Sequence, residues 1–553
     1  MMLRKKPLSG LLLGALACGS PSYAADPCPW QGEEYQDACA RWDGIQQSLE
    51  EATRQAEEAA QKLQSMAPAD PTVSATTPEE VRVKAIIDRI LSYFTKPVAE
   101  MGGFDIDADY VLTQENGAFT TQFAKAAWVA TPVRADFGPL TFRIEPGDKG
   151  FSKVAIRIGD VITVRNGEKI LSRVLISQQS NHGAWDDALE SFGQFDSSFG
   201  QINVVVPGEA AIVSIDAVTL GHQLSRDAAD NWQAKQQMAL QDLQFQGEGQ
   251  TLSLARITAE GEAAGQNYQK LMKFTQEMNA LSQTENLDDS EAAKKVMGLL
   301  NDMYGSISRF DTEMTLNTLA IGSVQEPDFK LGQVALSANF AAADDGSTFG
   351  YAMGFSNLAT QIPGVPANIT PTDARFEMGL TDIPPQLFSR FMEIAIAADQ
   401  LPEAEQEAYM NQHIPALFLG SKLGAYIKDT FIAAPDTRVD LDVTTQVDPE
   451  AAMGGAGEML LRITGIDKVL EAAQTMPPEQ QTFMPVLGMM LTMSNRAEED
   501  GKVIDTYDLK LTKEGKLWLN GKDVTSMFLA STGAGSSPPQ QEPTPEQPAA
   551  KPE

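Results

Sequence analysis

The apolar positions of this chain change their period along its length. From Tyr35 to Met66 they recur at sevens, with Tyr35, Trp42, Leu49, Ala56 and Leu63 in one row and Ala38, Ile45, Ala52, Ala59 and Met66 in the other. These are the a and d positions of a heptad helix five repeats long, with Glu, Gln, Arg and Lys on its other faces and Gly44 interrupting it. An Ala-rich seam admits close approach but buries little area. It serves either to oligomerise the chain or to pack against an antiparallel partner within it.

After the linker Ala67 to Thr76, a second helix opens at Thr77-Pro78-Glu79-Glu80: a Thr cap, Pro at the first helical position and Glu three residues after the cap. Val83, Ile86, Ile87, Ile90, Leu91 and Phe94 follow the 3.6-residue period, and burial against a sheet is their expected use.

From Phe104 the period becomes two. Leu140 to Ile144, Val154 to Ile158 and Val161 to Val164 read as strands, divided by turn signals at Pro146-Gly147-Asp148 and Asn166-Gly167. Turns this short predict antiparallel meanders, since a parallel pair needs a crossover of about a dozen residues or more.

A repeat runs through the strands. The spacing apolar-x-apolar-x-x-apolar-x-apolar occurs at Val213/Ile215/Val218/Leu220, Leu252/Leu254/Ile257/Ala259, Met314/Leu316/Leu319/Ile321 and Phe329/Leu331/Val334/Leu336. A step of three between two alternating pairs switches the inward face, as a bulge or bend does, and so predicts long strands bent at their midpoints. Sheets of this kind either close over their own side chains or enclose an apolar groove.

Helical patterns interrupt the strands at Gln266 to Leu281, at Ser290 to Tyr304 and over a block from Pro385 to Ala434. Val439 to Val443 reads as a strand, and a further helix surrounds Phe483 to Met493. The four Met residues in that last segment suit core packing, a plastic apolar surface or, at the outside, a thioether site for Cu(I).

Charge and cysteine content place the chain. Acidic residues outnumber basic ones 75 to 42, for a net charge of −33. Nucleic acid and polybasic membrane binding are therefore disfavoured, whereas apolar capture of acyl chains is not. Arg4, Lys5 and Lys6, the apolar run Leu11 to Ala17 and the small residues Ser22 to Ala25 form a secretory signal, too short to span a bilayer and cleaved after Ala24. The expected location is the periplasm, with no transmembrane span left after cleavage; the alternative is lipidation at Cys18. Export leaves Cys28 and Cys39 to form one disulfide, provided a turn precedes Cys39, because eleven residues of unbroken helix would separate the sulfurs by about 16 Å.

Catalytic and cofactor motifs do not appear. His182, His222 and His413 are the only histidines and lie far apart in sequence, and no HExxH helix, G-x-S-x-G elbow or P-loop occurs. Asp105-Ile106-Asp107-Ala108-Asp109 begins like a calcium loop, but Tyr110 stands where Gly is required and Asn116 where a bidentate Glu belongs. The residues nominate no catalytic, cofactor or metal site.

Tyr507-Asp508-Leu509-Lys510-Leu511-Thr512-Lys513-Glu514-Gly515-Lys516-Leu517-Trp518-Leu519-Asn520-Gly521-Lys522 reads as a hairpin. It resembles the strand, charged turn and Gly-Lys-Leu-x-Leu-Asn-Gly-Lys ending of the YdgA-like exported bacterial proteins. The likeness is specific over those residues and architectural over Phe104 to Phe528. It implies long β-rich regions with helical insertions, no settled activity and no catalytic residues. A cleavable signal and a heptad helix depart from that family's pattern and put shared anchoring in doubt.

The sequence thus predicts an α+β fold: a large curved antiparallel sheet region with helical insertions, preceded by an N-terminal heptad helix. The expected divisions are a signal (1–24), the heptad helix (25–67), a linker (68–77), a first β-rich region with a helical hairpin (78–310), a second with helical insertions (311–530) and a Pro-, Gln- and Glu-rich disordered tail (531–553). The expected function is that of a non-enzymatic envelope protein that binds or scaffolds, holding an apolar ligand such as a lipid or acyl chain in a groove lined by Leu316, Leu319, Leu331, Val334, Phe418 and Met489. Partners are a lipid, an envelope protein or a second copy of the chain. The rivals are a periplasmic hydrolase with a site assembled in three dimensions and a structural oligomer held through the N-terminal helix.

Overall fold

The computed structural model describes residues 77–531 except 95–102, 107–109, 208–210, 248–249, 282–294, 297, 300–305, 324–326, 344–345, 361–365, 385–386, 400, 419–420, 476–483 and 500. The signal, the heptad helix with Cys28 and Cys39, nearly all of the linker, Asp107, Asp109, most of the Ser290 to Tyr304 helix and all but the first residue of the 531–553 tail lie outside the described residues. The described chain divides into two compact units, Met1–Ile362 with Pro385–Asn411, and Pro363–Pro384 with Gln412–Glu553.

In the first unit, helix α1 (Pro78–Phe94) starts as its sequence predicts, with the Thr77 hydroxyl accepting a hydrogen bond from the Glu80 amide at 3.1 Å. Its apolar stripe is buried: Val83, Ile86, Ile87 and Ile90 pack against Phe119, Phe123, Phe142 and Trp185. Arg82 fastens the helix from outside, donating to Asp187 at 2.7 Å and to the carbonyls of Gly147 and Phe151.

The sheet beneath α1 runs through β1 (Gly103–Ile106), β2 (Thr113–Glu115), β3 (Ala118–Ala130), β4 (Val133–Pro146), β5 (Phe151–Arg157), β6 (Val161–Asn166) and β7 (Lys169–Asp186). Strand β4 pairs with β5 near one end and with β6 near the other, and β7 does the same on the far side. The gap between β5 and β6 is a kink where the Gly159 amide donates to the Phe137 carbonyl at 2.9 Å. A Cβ on Gly159 would stand 2.5 Å from that oxygen, so only glycine allows the approach.

A regular meander follows: β8 (Ser191–Val205), β9 (Ala211–Arg226), β10 (Trp232–Gly247), β11 (Gln250–Gly265), β12 (Ile307–Gly322), β13 (Pro327–Ala341) and β14 (Ser347–Thr360), each antiparallel to the next. Helix α2 (Tyr268–Leu281) follows β11 and lays Tyr268, Leu271 and Met272 over Leu224, Trp232, Ala234 and Ala263. Helix α3 (Leu387–Asp399) also belongs to this unit, and α4 (Glu403–Phe418) spans the division in sequence.

The second unit pairs β15 (Asp373–Ile383), β16 (Gly424–Ala433), β17 (Arg438–Val447) and β18 (Gly455–Thr464) in order. β18 pairs with β20 (Lys502–Leu511), which also holds β19 (Asn495–Glu499) and β21 (Leu517–Leu519); β22 (Lys522–Asp523) closes the edge. The predicted hairpin at 507–522 is present as β20 and β21. Helices α5 (Ile466–Thr475) and α6 (Met484–Met493) contribute to a core of Ile463, Ile466 and Tyr507 packed by Met490, Leu491 and Leu519, and α7 (Thr525–Ser531) ends the described chain.

The α+β expectation is overturned. Strands make up 63% of the structure and helices 20%, so the fold is mostly β. Twenty-two strands are present among the described residues. The helices are short pieces at strand ends rather than a layer equal to the sheets. The predicted helical block over 385–434 is a further correction: α3 and α4 fill its first part, but Gly424–Ala433 is strand β16.

Candidate functional site

The repeat seen in the sequence marks a line that crosses the meander from β7 to β14. On every strand the ladder of bridges skips one residue there: Ser177, Gln201, Asp216, Asp242, Ala255, Thr318, Gly332 and Asn357, while the register on either side is unchanged. Gln201, Asp242, Thr318 and Asn357 have φ of 51°, 50°, 54° and 55°, in the left-handed region, and they fall on alternate strands. A left-handed residue within a strand breaks the two-residue alternation, so side chains three apart rather than two come to one face. Gly332 is required opposite Asn357, because a Cβ there would lie 2.7 Å from the Asn357 Cβ.

The consequence is a sheet with two unlike faces. Beside the crease on one face of β9 to β14 runs the row Val218, Leu240, Ile257, Leu316, Val334 and Phe355; on the other side of the crease runs Ile215, Leu243, Leu254, Leu319, Leu331 and Leu358. Outer rows such as Leu220, Met238, Ala259, Met314, Leu336 and Met353 extend the same face. The opposite face carries Gln237, Glu260, Arg256, Asn317, Gln333 and Ser356.

Burial shows which way the sheet bends. All the residues in the two rows beside the crease are half-buried or buried, Leu254 to 5% exposure, whereas Leu220, Met238, Phe245, Met314, Ile321 and Met353 farther out are exposed, Met353 at 47%. The crease residues themselves, apart from half-buried Gly332, are exposed. Apolar side chains deepest at the crease and shallower on both sides describe a trough whose floor follows the crease. At the strand spacing of about 4.8 Å and rise of about 3.3 Å per residue, the face measures about 25 Å across the strands and about 36 Å along them, on the order of 900 Å². Monomers seldom expose more than about 300 to 600 Å² of contiguous apolar surface without using it.

The sequence-nominated liners divide. Leu316 pairs directly with Val334, and Leu319 with Leu331, so these four lie together on the trough floor. Phe418 lies at the end of α4 and Met489 in α6, both in the second unit, whereas the four belong to the first. The polar members of the apolar face were not foreseen. They are His222, Gln236, Thr312 and Tyr351, which fall in one row with Gly261 and Ala338, an alignment that exists only through strand pairing. Burial pushes the His222 imidazole below its usual range, opposed by a hydrogen bond with the Phe192 backbone.

His182 has Asp196 as its cross-strand partner and the Ser180 hydroxyl 3.4 Å from its Nδ1. All three residue types of a hydrolytic triad are therefore close, but the serine contact is long and His182 is exposed on a strand face. His413 lies on α4, half-buried. Asp105, the described acid of the calcium-like run, accepts an ion pair from Arg134 at 2.7 Å. Among the described residues no helix is long and apolar enough to cross a membrane.

No family profile, curated protein or solved structure matches the chain.

Proposed function

We propose that this chain is an exported, non-enzymatic protein of the bacterial envelope that holds an acyl chain or lipid in the trough of β9 to β14. The observation that carries the reading is the uncharged, solvent-exposed apolar face on both sides of the crease, in a chain of net charge −33. A lipid leaflet is about 15 Å of hydrocarbon, half the bilayer core, so a single chain fits within the trough's length along the crease. Each methylene buried there contributes about 0.8 kcal/mol. The secretory signal and the likeness to YdgA-like proteins support the location.

The hydrolase alternative draws on Ser180, His182 and Asp196 alone. That cluster sits on the polar face of β7 and β8, away from the apolar rows.

Native mass spectrometry of full-length protein recovered from a periplasmic extract tests the proposal. The expected result is a lipid-sized adduct that disappears in L316D/V334D while circular dichroism stays that of a β protein. A bare wild-type protein that also takes up no monoacyl lipid would overturn it, as would a signal sequence still attached to membrane-bound protein. Hydrolysis of short-chain esters lost in S180A would favour the alternative.

A further inference from the structure

On the apolar face of β9 to β14, polar side chains are confined almost entirely to one transverse row. His222 pairs with Gln236, Gln236 with Gly261, Gly261 with Thr312, Thr312 with Ala338 and Ala338 with Tyr351. The row is flanked on one side by Leu220, Met238 and Met314 and on the other by Leu224, Ala234 and Phe310. It lies four residues along each strand from the row at the crease, about 13 Å at about 3.3 Å per residue. Phe195, its ring tilted against that of Phe192 at 4.9 Å between centroids, continues it onto β8 as the partner of His222.

The chemistry of the row is specific in what it omits. It offers hydroxyl, amide, imidazole and phenol groups, and neither it nor the other rows of this face of β9 to β14 between Val213 and Leu224 carries Lys, Arg, Asp or Glu. Arg226, at the end of β9 one row beyond Leu224, is the one basic group on this face among the described residues of β9 to β14, and it is held in an ion pair with Asp230 at 2.5 Å. Lys235, Arg256, Arg309 and Lys330 occupy the opposite face, where Lys235 is paired with Glu262 and Arg309 with Asp311. A carboxylate or phosphate resting on the apolar face would leave water without a cation to meet it, which costs far more than placing a hydroxyl or ester there. Burial lowers the proton affinity of His222 and so disfavours its cationic form.

Building on the lipid reading above, we infer that the trough selects an amphiphile with one long acyl chain and an uncharged, hydrogen-bonding head. The chain lies among the rows beside the crease and the head rests on Gln236, Thr312 and His222. A neutral glycerol ester has this chemistry; a fatty acid anion or a lysophospholipid with a phosphodiester does not.

Calorimetric titration of the full-length protein at pH 7.5 with monopalmitoylglycerol, palmitate and palmitoyl lysophosphatidylglycerol, each below its aggregation limit, tests this. The glycerol ester is expected to bind at least about tenfold more tightly than either anion, a difference of about 1.4 kcal/mol. In Q236L/T312V, checked for folding by circular dichroism, palmitoylglycerol should lose most of that advantage while the anions change little. Equal binding of all three, or tighter binding of an anion, overturns the head-group assignment but leaves the apolar trough standing. Absence of binding by all three overturns the lipid reading and this inference with it. Retained preference in the double variant overturns the role of the row.

Discussion

Leu316 on β12 stands directly across from Val334 on β13, and one step beyond the crease Leu319 stands across from Leu331. The four are half-buried, unlike the closed core under α1. Their truncation should therefore separate ligand retention from stability. L316A/V334A is expected to cost about 1 kcal/mol or less of folding stability, below the usual penalty of about 2 to 5 kcal/mol for emptying a closed core. Bound lipid seen by native mass spectrometry should fall severalfold. Loss of stability on the core scale in urea denaturation would show that the rows are covered.

Helix α1 gives the contrast. Ile87 is 1% exposed within the cluster that joins the helix to β3, β4 and β7. I87A should destabilise the first unit by about 2 to 5 kcal/mol. R82A removes an ion pair whose partners are both partly solvated, and its charge contribution should stay near or below about 1 kcal/mol. Chemical denaturation of the two variants should rank them in that order.

At the crease, Thr318 is a β-branched residue at φ 54°. Such a residue is strained in the left-handed region by about 1 to 3 kcal/mol. T318G should raise or hold the thermal midpoint, since relief of strain offsets the added freedom of the unfolded chain. T318V keeps the branching and loses the hydroxyl, and it should lower the midpoint. The reverse order would deny the strain.

His222 supplies a pH dependence. Burial lowers its pKa in the folded state, so the unfolded chain takes up the proton first. Its contribution to stability is complete above the ordinary histidine range, near 6.5, and declines as pH falls through that range toward the folded value. The charged side chain that shares its face of β9 is Arg226, four residues along the strand and ion-paired with Asp230; β10 carries none on that face. The urea midpoint of the wild type should drop between pH 7.5 and 5.5 by more than that of H222Q. Equal drops would show that the ring is solvated.

The bend was legible in the sequence because each of four strands writes it locally, as a step of three between pairs such as Leu316 and Leu319. Helix α1 was legible for the same reason, its cap at Thr77 and its stripe from Val83 to Phe94 lying in one short run of chain. Strand β16 was not. Between Ile427 and Thr430 the pairing with β17 slips past Lys428 and Asp429, which breaks the two-residue period and spaces Tyr426, Ile427 and Phe431 as a helix would. Phe418 and Met489 were apolar in apolar surroundings, a property that says nothing about which unit a helix joins. The polar row could not be read at all, because His222 and Tyr351 become members of one line only when five intervening pairings are made.

Left-handed residues recur on β8, β10, β12 and β14, one to each pair of neighbouring strands. The hairpin, and not the strand, is thus the repeating module of the trough, and each adds about 10 Å of floor at the usual spacing. Gaining or losing one hairpin would leave every surviving pairing in register and change only the length of what the floor accommodates. The protein carries a ruler whose divisions are hairpins, and evolution can reset it without redesigning the groove.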